Sequence, residues 1–507
     1  MISRVQSFVL RGIDAIACEI EADLSSVGLP KTTIVGLPDT AVKESTERVR
    51  TALLNSGYRF PQTRLTINLA PADVKKEGPV YDLPIALALL RADGTIEPSA
   101  DGRPRLDTFL IAGELALDGR VRPIKGAISL AMLARDENVR GVIVPRANAP
   151  EAATVDGIDV FGIETLGELV AFFNGQAQLS PHETIDADTL IAEAQPAVDF
   201  GDIRGQEAAK RAIVIAASGG HNLLMLGPAG TGKTMMAKAL PGILPRLTRE
   251  ECLEVTRIYS SVGAIPNGAP LMTTRPVRTP HHTASSPAII GGGTNPRPGD
   301  VSLAHRGILF LDELPEFSRA VLETLRQPLE DGCVTIARSQ GSITFPARFM
   351  LVGALNPTPK GAMAEDEVGR RAMEKYLARL SGPLVDRIDL HIEVPAVPYR
   401  QLTSKVRGTD TQTMREMVLS ARQVQQKRQG RKPNGELNGR ELDQMAALDE
   451  SSRETLGSFM REMGLSARAY DKIRRVARTI ADLERSERVE MHHVTEAVQY
   501  RLLDRLL

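Results

Sequence analysis

Three observations predict an α/β protein with a helical C-terminal domain. Residues 1–174 alternate strand-like runs such as "TRLTINLA" and "VRGVIVP" with helical runs such as "DTAVKESTERVRTALLNSG". At residues 221–240, "HNLLMLGPAGTGKTMMAKAL", a glycine-rich loop stands between an apolar tetrapeptide and a helix-favouring segment. From Tyr399 onward strand signals vanish and a helical period takes over, with Ala469, Ile473, Val476 and Ile480 on one face of "SARAYDKIRRVARTIADLE".

At 507 residues the chain exceeds a single core, so several domains are expected. Residues 1–174 form the first α/β domain. Residues 175–198 are polar, with proline and small residues and no strong apolar period, and read as a linker. Residues 199–398 form the second α/β domain and 399–507 the helical one. No repeat of solenoid period is visible.

Composition names no partner. The chain is 42% apolar and 25% charged, and its 62 basic residues nearly cancel its 63 acidic ones, so any nucleic-acid site must be a local patch. Cys18, Cys252 and Cys333 show no CxxC spacing, which argues against a disulfide framework or a cysteine zinc site and fits a reducing cytoplasm. The segment "MISRVQSFVLRGIDA" lacks the apolar stretch of a signal peptide, and no run approaches the roughly 18 apolar residues of a membrane span. A soluble cytoplasmic protein is expected.

Gly227, Pro228, Ala229, Gly230, Thr231, Gly232, Lys233 and Thr234 match GxxxxGK[ST] in spacing, with the strand before and helix after that the motif requires. Glycines let backbone N–H groups approach phosphates, Lys233 reaches the β and γ phosphates, and the Thr234 hydroxyl ligates Mg²⁺. The run "GILFLDELPEF" then places Asp312 and Glu313 at the end of an apolar strand. An apolar run ending in Asp-Glu also describes a strand before a solvated turn; downstream of this loop, Asp312 suits the Mg²⁺ shell and Glu313 the attacking water. A third strand, "FMLVGALNP", ends at Asn356, whose amide either holds that water or begins an Asn-Pro turn. In "LSGPLVDRIDLHIEV", Arg387 stands beside Asp386 and Asp389, either as a surface ion pair or as an arginine finger for a neighbouring subunit.

These motifs resemble the AAA+ ATPases, and within them the ComM/YifB family of the magnesium-chelatase-like branch. The likeness runs from about residue 3 to residue 500 and includes "GLPDTAVKESTERVR", "TPHHTASSPAIIGGG", "PGDVSLAHRGILFLDELPEF", "LRQPLEDG" and "RVARTIADLE". It implies a P-loop core with a helical lid and a hexameric ring with ATP and Mg²⁺ between subunits. In it Asn356 is the third-strand sensor, Arg387 the finger and Arg468 the lid sensor, with Ile203, Gly205 and Gln206 at the adenine. The implied activity is ATP-driven translocation on DNA, promoting branch migration when incoming single strands recombine.

Lys233 and Asp312 lie 79 positions apart (312 − 233), long for one crossover between strands, which leaves room for insertions. By the resemblance, Arg278 to Asp300 and the turn "VTIARSQGSITF" point into the ring pore. His281, His282 and Arg338 then touch a DNA strand, or the histidines hydrogen-bond locally near the nucleotide.

Two departures stand out. The first domain resembles the proteolytic domain of Lon (the ribosomal S5 domain 2-like fold), but Val80 stands in the serine position and Ile128 in the lysine position, so a Ser-Lys dyad is missing. After Asn356, family members carry a cysteine-rich insertion; this chain reads "NPTPKGAMAEDEVGRRAMEKYLARLSGP", without a cysteine and so without that zinc site. The competing expectations are a magnesium-chelatase-type motor and an ATP-fuelled protein remodeller. The basic run with Lys427, Arg428, Arg431 and Lys432 reads as a solvated linker or as a DNA contact.

Overall fold

The computed structural model describes the chain except residues 1, 26, 28, 98–102, 196–197, 267, 339–340, 358–375, 377–378, 381, 400–407 and 502–507. The cysteine-free stretch after Asn356 therefore lies largely outside the described residues. The chain divides into two compact units: Met1–Ala192 with Arg249–Met272, and Glu193–Thr248 with Thr273–Leu507.

The first unit is built on a seven-stranded sheet. Its strands are β1 (Ile2–Arg11), β2 (Asp14–Ser25), β3 (Lys31–Val35), β4 (Arg64–Ala70), β5 (Phe109–Ile111), β8 (Gly141–Pro145) and β9 (Asp159–Ile163), in the order β3-β4-β2-β1-β5-β8-β9. A short hairpin, β6 (Glu114–Leu115) with β7 (Val121–Arg122), stands apart from it. The sheet is mixed: β1 and β2 pair antiparallel, whereas β5, β8 and β9 run parallel. Alternation in β4, with Leu65, Ile67 and Leu69 buried, follows from the two-residue period of a strand with one face on a core. The helix Asp82–Ala92 has only Arg91 outside the buried class, as expected of an element packed on several sides.

Residues 175–192 run along this unit. His182 N donates to Val160 O and Ile185 N to Ala153 O, and the helix Ala187–Glu193 buries Ala187 and Ile191. Two buried apolar residues on one short face suffice to lay a polar segment on a core. The helix Arg249–Val262 also belongs here, although its sequence lies between the glycine-rich loop and Asp312. Its Ser260 hydroxyl donates to Glu151 and accepts from Gly126 N at 2.9 Å.

The second unit carries a five-stranded parallel sheet of β10 (Leu223–Leu226), β11 (Val277–Arg278), β14 (Ile308–Leu311), β17 (Met350–Leu355) and β18 (Leu390–Glu393). Their order is β11-β14-β17-β10-β18. β10, β14 and β17 are buried along their length, the near-continuous apolar signature of parallel strands covered on both faces. Two hairpins flank the sheet: β12 (Gly291–Gly292) with β13 (Arg297–Pro298), and β15 (Cys333–Arg338) with β16 (Gly341–Pro346).

Beyond residue 408 come helices Thr411–Gln429, Gly439–Met445, Glu450–Met463, Ala467–Leu483 and Met491–Gln499. Side chains of Asp410, Asn438, Asp449 and Ser466 cap four of them, accepting first-turn N–H groups that lack intrahelical partners. Ala469, Ile473, Val476 and Ile480 are all buried, as their helical spacing predicts. Among the described residues no helix is long and apolar enough to cross a membrane, and all three cysteines are free.

Candidate functional site: the glycine-rich loop and its surroundings

The loop from Gly227 to Gly232 joins buried β10 to the helix Lys233–Ala239. Gly227 has to be glycine for space: a Cβ there would meet Val394 O at 2.1 Å. Gly230 and Gly232 have φ of 80° and 93°, backbone that side chains with a Cβ rarely adopt. The Thr231 hydroxyl donates to Pro228 O at 3.0 Å and closes the turn across Ala229.

Lys233 is buried and its ammonium donates to Gly227 O at 2.6 Å, Pro228 O at 2.8 Å and Asn356 Oδ1 at 3.2 Å. Burial lowers its pKa from the usual lysine value, and the Asp312 carboxylate opposes that shift. β14 delivers Asp312, whose Oδ2 accepts from the Thr234 hydroxyl at 3.0 Å and whose Oδ1 accepts from Glu313 N at 3.0 Å. Glu313 itself sits at φ 51°, with its carboxylate 3.4 Å from His282 Nδ1. Lys233, Thr234, Asp312, Glu313 and Asn356 thus converge from the ends of three adjacent parallel strands, the usual place for a ligand crevice in an open α/β sheet.

Ile203 is buried and lies 3.9 Å from where a Cβ on Gly232 would stand, so it borders the loop. Gly205 and Gln206 have φ of 63° and 62°, turning the chain into the helix Glu207–Gly219, and Gln206 Nε2 donates to Pro395 O at 2.7 Å.

Arg387 and Arg468 form a second group. Arg387 pairs with Glu330, and Arg468 Nη1 lies 3.9 Å from Asp386 Oδ2. Arg387 O accepts from Asn222 Nδ2 at 3.1 Å. Asn222 stands just before β10 and Gly227 just after it, so four residues of strand, about 13 Å, separate the Arg387 backbone from the loop.

His281 and His282 stack, with ring centroids 4.1 Å apart, and His281 Nδ1 is 2.8 Å from the Thr283 hydroxyl. His282 also meets the edge of Phe317, at 6.5 Å between centroids. His282 therefore lies at Glu313, with His281 stacked on it and hydrogen-bonded locally. Arg338, at the end of β15, donates to Gly293 O at 3.3 Å, so the two hairpins touch.

Sequence reasoning missed Asn222, Glu330 and Lys472. Lys472 Nζ is 2.9 Å from Asp389 Oδ1, and both residues are buried. A lysine in a helical pattern reads as solvated, and nothing local signals a carboxylate so distant in sequence.

One group of three metal-capable side chains occurs among the described residues: Glu484, His492 and His493. His493 Nδ1 accepts from Glu490 N at 2.9 Å, so its Nε2 carries the proton, aimed at Glu484 Oε2 at 3.1 Å. That is a hydrogen-bonded helix cap, and its Nε2 has no lone pair for an ion.

The family model described as magnesium chelatase, subunit ChlI, matches residues 199–402. A second, subunit ChlI of Mg-chelatase, matches residues 20–148, and a third, the ChlI C-terminal region, matches 408–501. Among curated relatives, the competence protein ComM of Haemophilus influenzae is 44% identical over 99% of this chain and 98% of its own length. YifB of Escherichia coli is 43% identical over 100% of this chain and 98% of its own. The magnesium-chelatase 38 kDa subunit of Rhodobacter capsulatus is 30% identical over 33% of this chain and 52% of its own length. The chain belongs to the ComM/YifB family of magnesium-chelatase-like AAA+ proteins.

Proposed function

We propose that the protein is an ATP-hydrolysing ring motor that acts on DNA and promotes branch migration or strand integration during homologous recombination or natural transformation. The observation that carries this reading is the convergence of Lys233, Thr234, Asp312, Glu313 and Asn356 in a chain alike end to end to a protein named for competence. The residues fit MgATP. An ammonium on three neutral acceptors is free to turn to phosphate, and a hydroxyl and a carboxylate at 3.0 Å are oxygen donors of the kind Mg²⁺ takes.

In this reading the loop N–H groups and Lys233 cradle the phosphates, and Thr234 and Asp312 hold the metal, which supplies charge neutralisation when bound. Glu313 orients the attacking water, with Asn356 beside it. Arg387 and Arg468, at the far end of β10 from the loop, serve the neighbouring subunit's nucleotide, which calls for a closed ring, in this family a hexamer. The hairpin carrying Arg338 provides a phosphate contact indifferent to base sequence, and His281 and His282 offer further donors to the strand. In the same reading residues 1–174 are a Lon-like domain without peptidase chemistry: Val80 and Ile128 pack in one apolar cluster, with neither a nucleophile nor an amine at those positions. It serves assembly or docking.

The matches to magnesium-chelatase ChlI favour a second reading, a chelatase-type or protein-remodelling motor without DNA activity. Steady-state ATP hydrolysis with and without single-stranded and forked DNA separates the two. Stimulation by DNA, lost in Lys233→Ala and Glu313→Gln, supports the DNA motor. Robust hydrolysis indifferent to every DNA sinks it.

A further inference from the structure

The segment from Asp386 to Asp389 is held from several sides. Asn222, at the base of the loop-bearing strand, donates its backbone N–H to Asp389 Oδ2 at 2.9 Å and its side-chain amide to Arg387 O at 3.1 Å. The Asn222 carbonyl accepts from both Asp389 N and Leu390 N at 3.0 Å. From the helix Ala467–Leu483, Lys472 reaches Asp389 at 2.9 Å and Arg468, one turn earlier, approaches Asp386 at 3.9 Å. Arg501 donates to the carbonyls of Ile388 and Asp389. At the tip, the Arg387 guanidinium meets Glu330.

Two of these partners are buried charges. Asp389 and Lys472 are each 7% exposed. A buried ion pair brings little net stability over well-packed apolar side chains of the same size. What it adds is direction: the carboxylate has to point one oxygen at Lys472 and the other at Asn222 N, which fixes the backbone two residues after Arg387.

We propose that Asp389 and Lys472 form a buried positioning pair that sets the aim of Arg387, so that the C-terminal helices back the arginine offered to the neighbouring subunit. The inference rests on the reading of Arg387 as that arginine. Neither residue of the pair touches nucleotide; both act through the chain that carries Arg387. Movement of the helix Ala467–Leu483 is thereby transmitted to the Arg387 segment as one piece.

The test uses the full-length protein with Asp389→Asn and Lys472→Met combined, which removes both charges without stranding either. The expected result is a kcat at least about tenfold lower with the KM for ATP within about threefold of the parent, the signature of an interaction made in the transition state. Lys472→Arg, which keeps the charge pair, retains most of the parent kcat. Mixing the double variant with Lys233→Ala subunits, whose Arg387 segment is intact, restores hydrolysis above that of either alone. A double variant with parent kcat, measured where Arg387→Ala loses more than about tenfold, overturns the pair while leaving the arginine's role standing. Parent activity in Arg387→Ala itself overturns both.

Discussion

Replacing Lys233 by alanine tests the nucleotide site most directly, and the structure sets the size of the effect. The ammonium is buried against three acceptors, Gly227 O, Pro228 O and Asn356 Oδ1. At about 3 Å and an effective dielectric near 20, Coulomb's law gives about 5.5 kcal/mol per unit of phosphate charge. Turning to phosphate forfeits the two short hydrogen bonds to Gly227 O and Pro228 O, which as bonds from a charged group contribute about 1.5 kcal/mol each. The balance of about 2.5 kcal/mol corresponds to roughly 70-fold. Phosphate release by Lys233→Ala, measured at saturating and subsaturating ATP, should therefore fall in kcat/KM by about two orders of magnitude. Loss of less than about threefold would refute the placement of phosphate at this ammonium.

Other consequences concern stability. Asp482, fully buried, accepts from Arg428, Arg478 and Asn434, so Asp482→Ala strands two guanidinium groups. A cost of about 3–5 kcal/mol to the C-terminal helices follows, visible as a lower urea midpoint. Burial pushes the Asp389 carboxyl up, but Lys472 and His221 hold it down to about 2, against 3.8 for the free group. Its contribution, about 2 kcal/mol, is present above pH 4 and lost as pH falls toward 2, so Asp389→Asn should flatten the acid limb of the stability profile. Glu151 has the opposite sign. Burial raises its pKa above 4.5 against hydrogen bonds from Ser260, Ile128 N and Asn148, so its contribution is complete below that value and falls as pH rises through the raised one. Glu151→Gln should remove that pH dependence from the melting of the first unit. Because His493 Nε2 is a donor, chelator or added zinc should leave the melting of the C-terminal helices unchanged, as read by calorimetry.

The nucleotide loop was legible because its chemistry is local. Eight consecutive residues specify a backbone path, and the positive φ of Gly230 and Gly232 and the close approach at Gly227 are demands only glycine meets cheaply. Asp312 and Asn356 were legible because both stand at the ends of apolar runs, where a buried parallel strand releases its first polar residue. The C-terminal helix face was legible from its period alone. Arg387 and Arg468 could be named from motif likeness, but not that they lie together at the opposite end of β10 from the loop.

By itself, then, the sequence determined the α/β class, the glycine-rich loop with the carboxylate and amide at the neighbouring strand ends, and the helical C-terminal segment, since each depends on neighbouring residues or a short repeat. The tertiary structure alone decided that Arg249–Met272 leaves its sequence neighbours to pack with the first unit. It also decided that His282 meets Glu313, and that Lys472 is buried on Asp389 rather than solvated. Each joins residues distant along the chain through burial and charge, and a lysine or histidine in sequence carries no mark of the partner that folding brings to it.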